Sequence, residues 1–124
     1  MSVELNHTIV YASDRHRSAR ELAELLGVPE PKAYGPFEVV QIGAVSLDFM
    51  DSSDPITPQH YAFLVGEADF DAIFGRIEST GRAYWADPFH REPRRINHND
   101  GGRGVYWSDP DRHSMEIITR PYGG

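Results

Sequence analysis

The same order of elements is written twice in this chain, and that duplication limits the fold more than any single motif. Val3, Leu5, His7, Ile9 and Tyr11 alternate through residues 3–11 and would share one face of a strand. Ser13 or Asp14 offers an N-cap, Ala19, Leu22, Ala23 and Leu26 follow at helical spacing, and Gly27 supplies a stop. Pro29, Pro31 and Gly35 mark a loop, after which residues 37–42 and 45–50 read as two strands joined at Gly43-Ala44. Residues 51–55, Asp-Ser-Ser-Asp-Pro, form the best linker. The order then restarts: a strand over 59–65, with His60, Ala62 and Leu64 on one face, a helix carried by Phe70, Ile73, Phe74 and Ile77, and a stop at Gly81. A short strand at Tyr84-Trp85, a polar loop over 86–102 and two closing strands complete the second copy. The predicted class is α+β in one domain over 1–124, with module one at 1–52 and module two at 58–120. Equivalent strands of paired modules are expected side by side about a pseudo-twofold axis, so that distant parts of the chain converge on one concave face.

Position 116 gives that face a chemistry. Glu116 lies between Met115 and Ile117 in the last apolar strand. A bare buried charge is expensive, so a carboxylate there needs a partner, and a metal ion is one. His7 and His60 sit in corresponding first strands of the two copies, and Asp48 holds in copy one the place of Glu116 in copy two. Two imidazoles and one carboxylate with open coordination positions suit non-haem iron, so Fe2+ is favoured, and the same donors accept Zn2+, Ni2+ or Mn2+. Open positions are what catalysis needs, since substrate or water must reach the metal. Asp48 is open to three roles: a fourth ligand, an acceptor beside the site, or a solvated acid.

Leu5-Asn6-His7-Thr8, Gln59-His60-Tyr61-Ala62-Phe63 and Val105-Tyr106-Trp107-Ser108-Asp109-Pro110-Asp111 leading into His113-Ser114-Met115-Glu116 resemble the vicinal oxygen chelate superfamily. That superfamily includes glyoxalase I, bleomycin-resistance proteins, fosfomycin-resistance transferases and extradiol dioxygenases. The resemblance implies paired βαβββ modules forming a curved mixed sheet with a concave metal-binding groove, and a homodimer. It implies metal ligands at His7, His60 and Glu116. The stretch from His98 to Glu116 is similar to the extradiol dioxygenase signature, departing only at Arg112, where Gly or Pro is expected. That similarity implies Tyr106 and His98 as catalytic groups beside the metal. No histidine lies between His16 and His60, where those dioxygenases carry a further base. The implied function is a metal-dependent small-molecule enzyme, a dioxygenase or a glyoxalase-type lyase or isomerase, with the metal chelating vicinal substrate oxygens. The alternative is a non-enzymatic antibiotic-binding or resistance protein on the same fold.

The loop over 86–102 and the residue after it contribute Arg94, Arg95 and Arg103. Each could pair a substrate carboxylate or phenolate under a mobile flap, or be a solvated surface cation. A net charge of -7 excludes nucleic acid as the expected partner, since phosphate binding needs a basic face. No apolar run reaches the roughly 18 residues that span a bilayer, and the N-terminal stretch lacks the basic flank and apolar core of a signal peptide. With 0 cysteines there is no disulfide frame, and a cytoplasmic protein without a membrane partner is expected.

Overall fold

A computed structural model describes residues 2–122, which form two compact units, 2–57 and 58–122, each with one mixed sheet. In unit 1 the elements are β1 (His7–Ala12), α1 (Arg15–Leu26), β2 (Lys32–Tyr34), β3 (Phe37–Ile42) and β4 (Val45–Asp51), with sheet order β1-β4-β3-β2. β1 runs parallel to β4, and the remaining neighbours are antiparallel. Alternation decides which face is covered. Val10, Ala12, Val40, Leu47 and Phe49 are buried together with Ala19, Leu22, Ala23 and Leu25 of α1. His7, Ile9 and Tyr11 point to the opposite, exposed face. Asp14 caps α1, accepting from the His16 and Arg17 N–H groups, and Gly27 ends it at φ 72°.

Two boundaries differ from the sequence reading. β1 begins at His7, not Val3, because β4 begins at Val45 and its Ser46 already pairs with His7; earlier residues have no strand to join. Val3 and Leu5 are therefore exposed. Residues 32–34, read as loop from their Pro and Gly flanks, form the edge strand β2 against β3 through a turn with Gly35 at φ 55°. An edge strand is fixed by its partner, not by its own pattern, so three residues between two prolines and a glycine suffice.

Unit 2 contains β5 (His60–Leu64), α2 (Glu67–Ser79), a 3₁₀ turn over 99–101, β6 (Gly104–Ser108) and β7 (Ser114–Ile118). Its sheet order is β5-β7-β6, β5 parallel and β6 antiparallel to the central β7. Phe63, Val105, Trp107, Met115 and Ile117 join Phe70, Ile73 and Ile77 of α2 in the core. The strand expected at Tyr84-Trp85 is reduced to isolated bridges from Trp85 to Pro93 and Tyr106. The Glu92 N–H turns to the Asp87 carboxylate and the Ala86 carbonyl to Asn97, so the ladder does not continue past that pair.

The loop over 86–102, open in the sequence to a mobile flap or a solvated surface loop, is tied at several points. The Asp87 carboxylate accepts from the N–H groups of Phe89, Arg91 and Glu92, Asn97 Nδ2 donates to the Ala86 carbonyl, and the His90 ring stacks on Trp85. Among the described residues no helix is long and apolar enough to cross a membrane.

Candidate metal centre

β7 places Glu116 at the centre of the unit 2 sheet, 1% exposed, with Ala62 of β5 on one side and Tyr106 of β6 on the other. β5 runs parallel beside it and puts His60 opposite Ser114. The His60 Nδ1 lies 2.9 Å from the Ser114 carbonyl, which can only accept, so Nδ1 carries the proton and Nε2 presents a lone pair. That lone pair faces Glu116 Oε1 at 3.1 Å. Two acceptors at this distance repel unless a cation lies between them: a proton on the ring or a metal. Ligands about 2.1 Å from one ion and at right angles stand about 3.0 Å apart, so the observed separation suits two neighbouring positions of one metal. The backbone carbonyl behind His60 is the outer partner that orients a ligating imidazole. The donor set thus fits a divalent metal on the unit 2 side.

Two phenols complete this corner. Tyr106 lies over His60, with ring centroids 5.9 Å apart and planes 26° from parallel. Burial first, then the Glu116 carboxylate and Tyr122 hydroxyl beside it, push the Tyr106 pKa far above the ordinary phenol value. Tyr106 therefore stays protonated and acts as a donor. The Tyr122 hydroxyl donates to Glu116 Oε1 at 3.1 Å. Tyr122 was missed by sequence reasoning. It follows β7 in no periodic pattern, and the one signal was a lone aromatic shortly after a candidate ligand.

His7 is exposed at the start of β1, in unit 1. Its Nδ1 lies 2.7 Å from Asn6 Oδ1, which leaves Nε2 unprotonated, the same tautomer that Ser114 imposes on His60. Asp48 shares a cavity of about 540 Å³ with His7 and accepts from Ser46 Oγ at 2.8 Å. Asp48 is thus a buried, hydrogen-bonded carboxylate, which removes the solvated-acid reading. Among the described residues no group of three or more His, Asp or Glu side chains lies close enough to hold a metal. The structure pairs His60 with Glu116.

The remaining expectations divide. His98 is exposed before the 3₁₀ turn, with no side-chain hydrogen bond, ion pair or ring contact among the described residues. Arg94 and Arg95 are exposed, and Arg94 lines a surface cavity with Tyr84 and Trp85. Arg103, open in the sequence to pairing a substrate anion or to a surface role, is a clamp within unit 2. It donates to Glu67 Oε1 at 2.9 Å, Asp71 Oδ1 at 2.8 Å and the Glu67 carbonyl at 3.1 Å, and lies over the Phe70 ring. Those acids neutralise it, so it is not a substrate cation. His113 is buried and its Nδ1 accepts the Gln59 N–H at 2.9 Å, a structural role. Arg112 has φ 67°, in the left-handed region that glycine enters freely and that proline cannot adopt.

No family model matches the chain. A solved structure named "Oxidase ChaP-H1" is 67% identical, covering 99% of this chain and all of its own, with TM-score 0.97. "Glutathione transferase FosA" of Serratia marcescens is 29% identical over 124 residues, 94% of this chain and 81% of its own length. The fosfomycin resistance protein FosX of Listeria monocytogenes, solved as an E126Q mutant with Mn(II) and 1S,2S-dihydroxypropylphosphonic acid, is 18% identical with TM-score 0.74, covering 98% of this chain and 96% of its own. At that identity it shows the fold.

Proposed function

The chain belongs to the vicinal oxygen chelate superfamily as a metal-dependent enzyme, and on that premise we propose that it is an oxidase, using dioxygen on a small molecule with two adjacent oxygens. The observation that carries the metal site is the His60 Nε2 lone pair facing Glu116 Oε1 at 3.1 Å. The choice of oxygen chemistry is supported by the 67% identity to a protein named an oxidase. His60 and Glu116 are two ligands, His7 is the third, Fe2+ is the favoured metal, and the enzyme is a homodimer. Asp48, held by Ser46 in the cavity with His7, is an acceptor beside the site.

When bound, ferrous iron supplies Lewis acidity toward the vicinal oxygens and redox chemistry toward dioxygen. The chain does the rest. Ser114 and Asn6 fix the imidazole tautomers, so both Nε2 atoms are ready to ligate without prior proton loss. Tyr122 holds Glu116 Oε1 in place by donation. Tyr106, protonated, offers an O–H to a developing oxyanion. His98, with no partner among the described residues, is the group that accepts a substrate proton.

Protein purified without oxygen and loaded with Fe2+ tests the assignment in an oxygen electrode, with catechols in one arm and a hemithioacetal in the other. The expected result is iron-dependent oxygen uptake with a catechol-type substrate, absent in Glu116→Gln. Conversion of the hemithioacetal without oxygen uptake overturns it in favour of a lyase.

A further inference from the structure

The chain contains a single lysine, and it stands on the same sheet face of unit 1 as His7. Directly paired residues in a sheet share a face. Register therefore aligns Ile9, Asp48, Val39 and Lys32 in one row across β1, β4, β3 and β2. His7 lies one row before, and Phe37 paired with Tyr34 one row after. All of these but Ile9 line the open cavity of about 540 Å³, a volume in the range of small-molecule sites. Tyr34 is 75% exposed on the edge strand. Lys32 makes no ion pair or side-chain hydrogen bond among the described residues, although Asp48 lies two strands away in its own row. By contrast Arg15 and Arg103 are bound to acids.

We infer that unit 1 contains a substrate subsite for an aromatic anion: Tyr34 and Phe37 take the ring face and Lys32 takes an ionised oxygen at the end of the molecule remote from His7. Three inter-strand gaps of about 4.8 Å separate β1 from β2, roughly 14 Å, so a ligand meeting both ends is longer than a single ring. Lys32 is a specificity residue here, acting by charge; Asp48, nearer His7, disfavours an anion at the other end and so sets the direction of binding. This names a substrate class for the proposed oxidase and rests on that reading only through His7.

The test uses two probes that differ at the remote end, 2,3-dihydroxynaphthalene and its 6-sulfonate, titrated calorimetrically into chelator-treated protein, with oxygen uptake measured separately on the iron-loaded enzyme. The expected result is a sulfonate bound about fivefold tighter than the neutral probe, as one exposed ion pair allows. That preference should shrink with added salt, vanish in Lys32→Met and survive in Lys32→Arg. A preference that persists in Lys32→Met, or is absent from the unmodified protein, overturns the proposal. So does failure of both probes to bind, the outcome if a second copy of the chain closes this face. Because binding is read without iron, a missing oxidase activity with an intact Lys32-dependent preference refutes the reaction and leaves the subsite standing.

Discussion

Replacing Glu116 by Gln should change stability in opposite directions with and without metal. The carboxylate is 1% exposed, and its Oε1 lies 3.1 Å from Nε2 of His60. With Nδ1 donating to the Ser114 carbonyl in the neutral ring, the metal-free protein holds the buried carboxylate against a lone pair. The Gln amide keeps the shape and can donate an N–H to Nε2, while the Tyr122 hydroxyl keeps a partner by rotating. Removing the charge without leaving an unpaired one should raise stability by about 1–3 kcal/mol, a rise in Tm of about 3–10 °C for a chain this size. With metal the order reverses. At 100 times Kd, Zn2+, a redox-silent probe, stabilises the unmodified protein by about 2.7 kcal/mol. Loss of even an outer-sphere partner weakens metal sites 10–100-fold, so loss of a charged ligand should weaken binding by at least ~100-fold, leaving about 0.4 kcal/mol at the same zinc concentration. Scanning calorimetry of both proteins in chelator and in zinc reads all four states. Equal zinc shifts in the two proteins would refute Glu116 as a ligand. A chelated Glu116→Gln protein less stable than the unmodified one would refute the lone-pair opposition.

Three further outcomes probe the supporting structure. Gly104→Ala should destabilise by about 1–3 kcal/mol in urea, because a Cβ there would sit 2.8 Å from Asn97 Oδ1, and Asn97 is held by its bond to the Ala86 carbonyl. His113→Leu should lose about 1–3 kcal/mol by leaving the Gln59 N–H without its acceptor, with a midpoint shift at unchanged m-value. Asp51 is held below the ordinary carboxylate range, first by the Arg15 backbone N–H, against burial, and then by the Arg15 guanidinium. A depressed pKa gives stability that is complete above the unfolded value near 4 and lost as pH falls through the folded one, so Asp51→Asn should flatten the acid-side decline between about pH 5 and 3, measured by urea unfolding at each pH; an unchanged slope counts against the Arg15–Asp51 link.

Periodicity made much of this molecule legible. The two-residue period put His7, Ile9 and Tyr11 on one face and His60, Ala62 and Leu64 on another, and the structure exposes both sets while burying Val10 and Phe63 between them. Glu116 was legible because an acid between Met115 and Ile117 violates the strand's own pattern, and it is indeed buried. What failed lacked a local signal. β2 exists because β3 offers it an edge, and Lys32 and Tyr34 gain meaning only through that pairing. Arg103 looked like a free cation in a basic stretch. Its acids, Glu67 and Asp71, lie 36 and 32 residues away, a distance no local pattern spans.

The same contrast explains why the fold and a metal pair are readable while the reaction is not. The candidate ligands are marked locally, His7 by Asn6 beside it and Glu116 by its apolar flanks, while the Ser114 carbonyl reaches His60 from 54 residues away through the regular register of parallel strands. Other groups near the site lack such a signal. Tyr122 reaches Glu116 from beyond the last strand, and Lys32 faces the His7 cavity from an edge strand that no pattern predicts. Strand register sets His60 beside Glu116, while Lys32 and Tyr122 stand at the edge and the tail of the scaffold, where no register announces them.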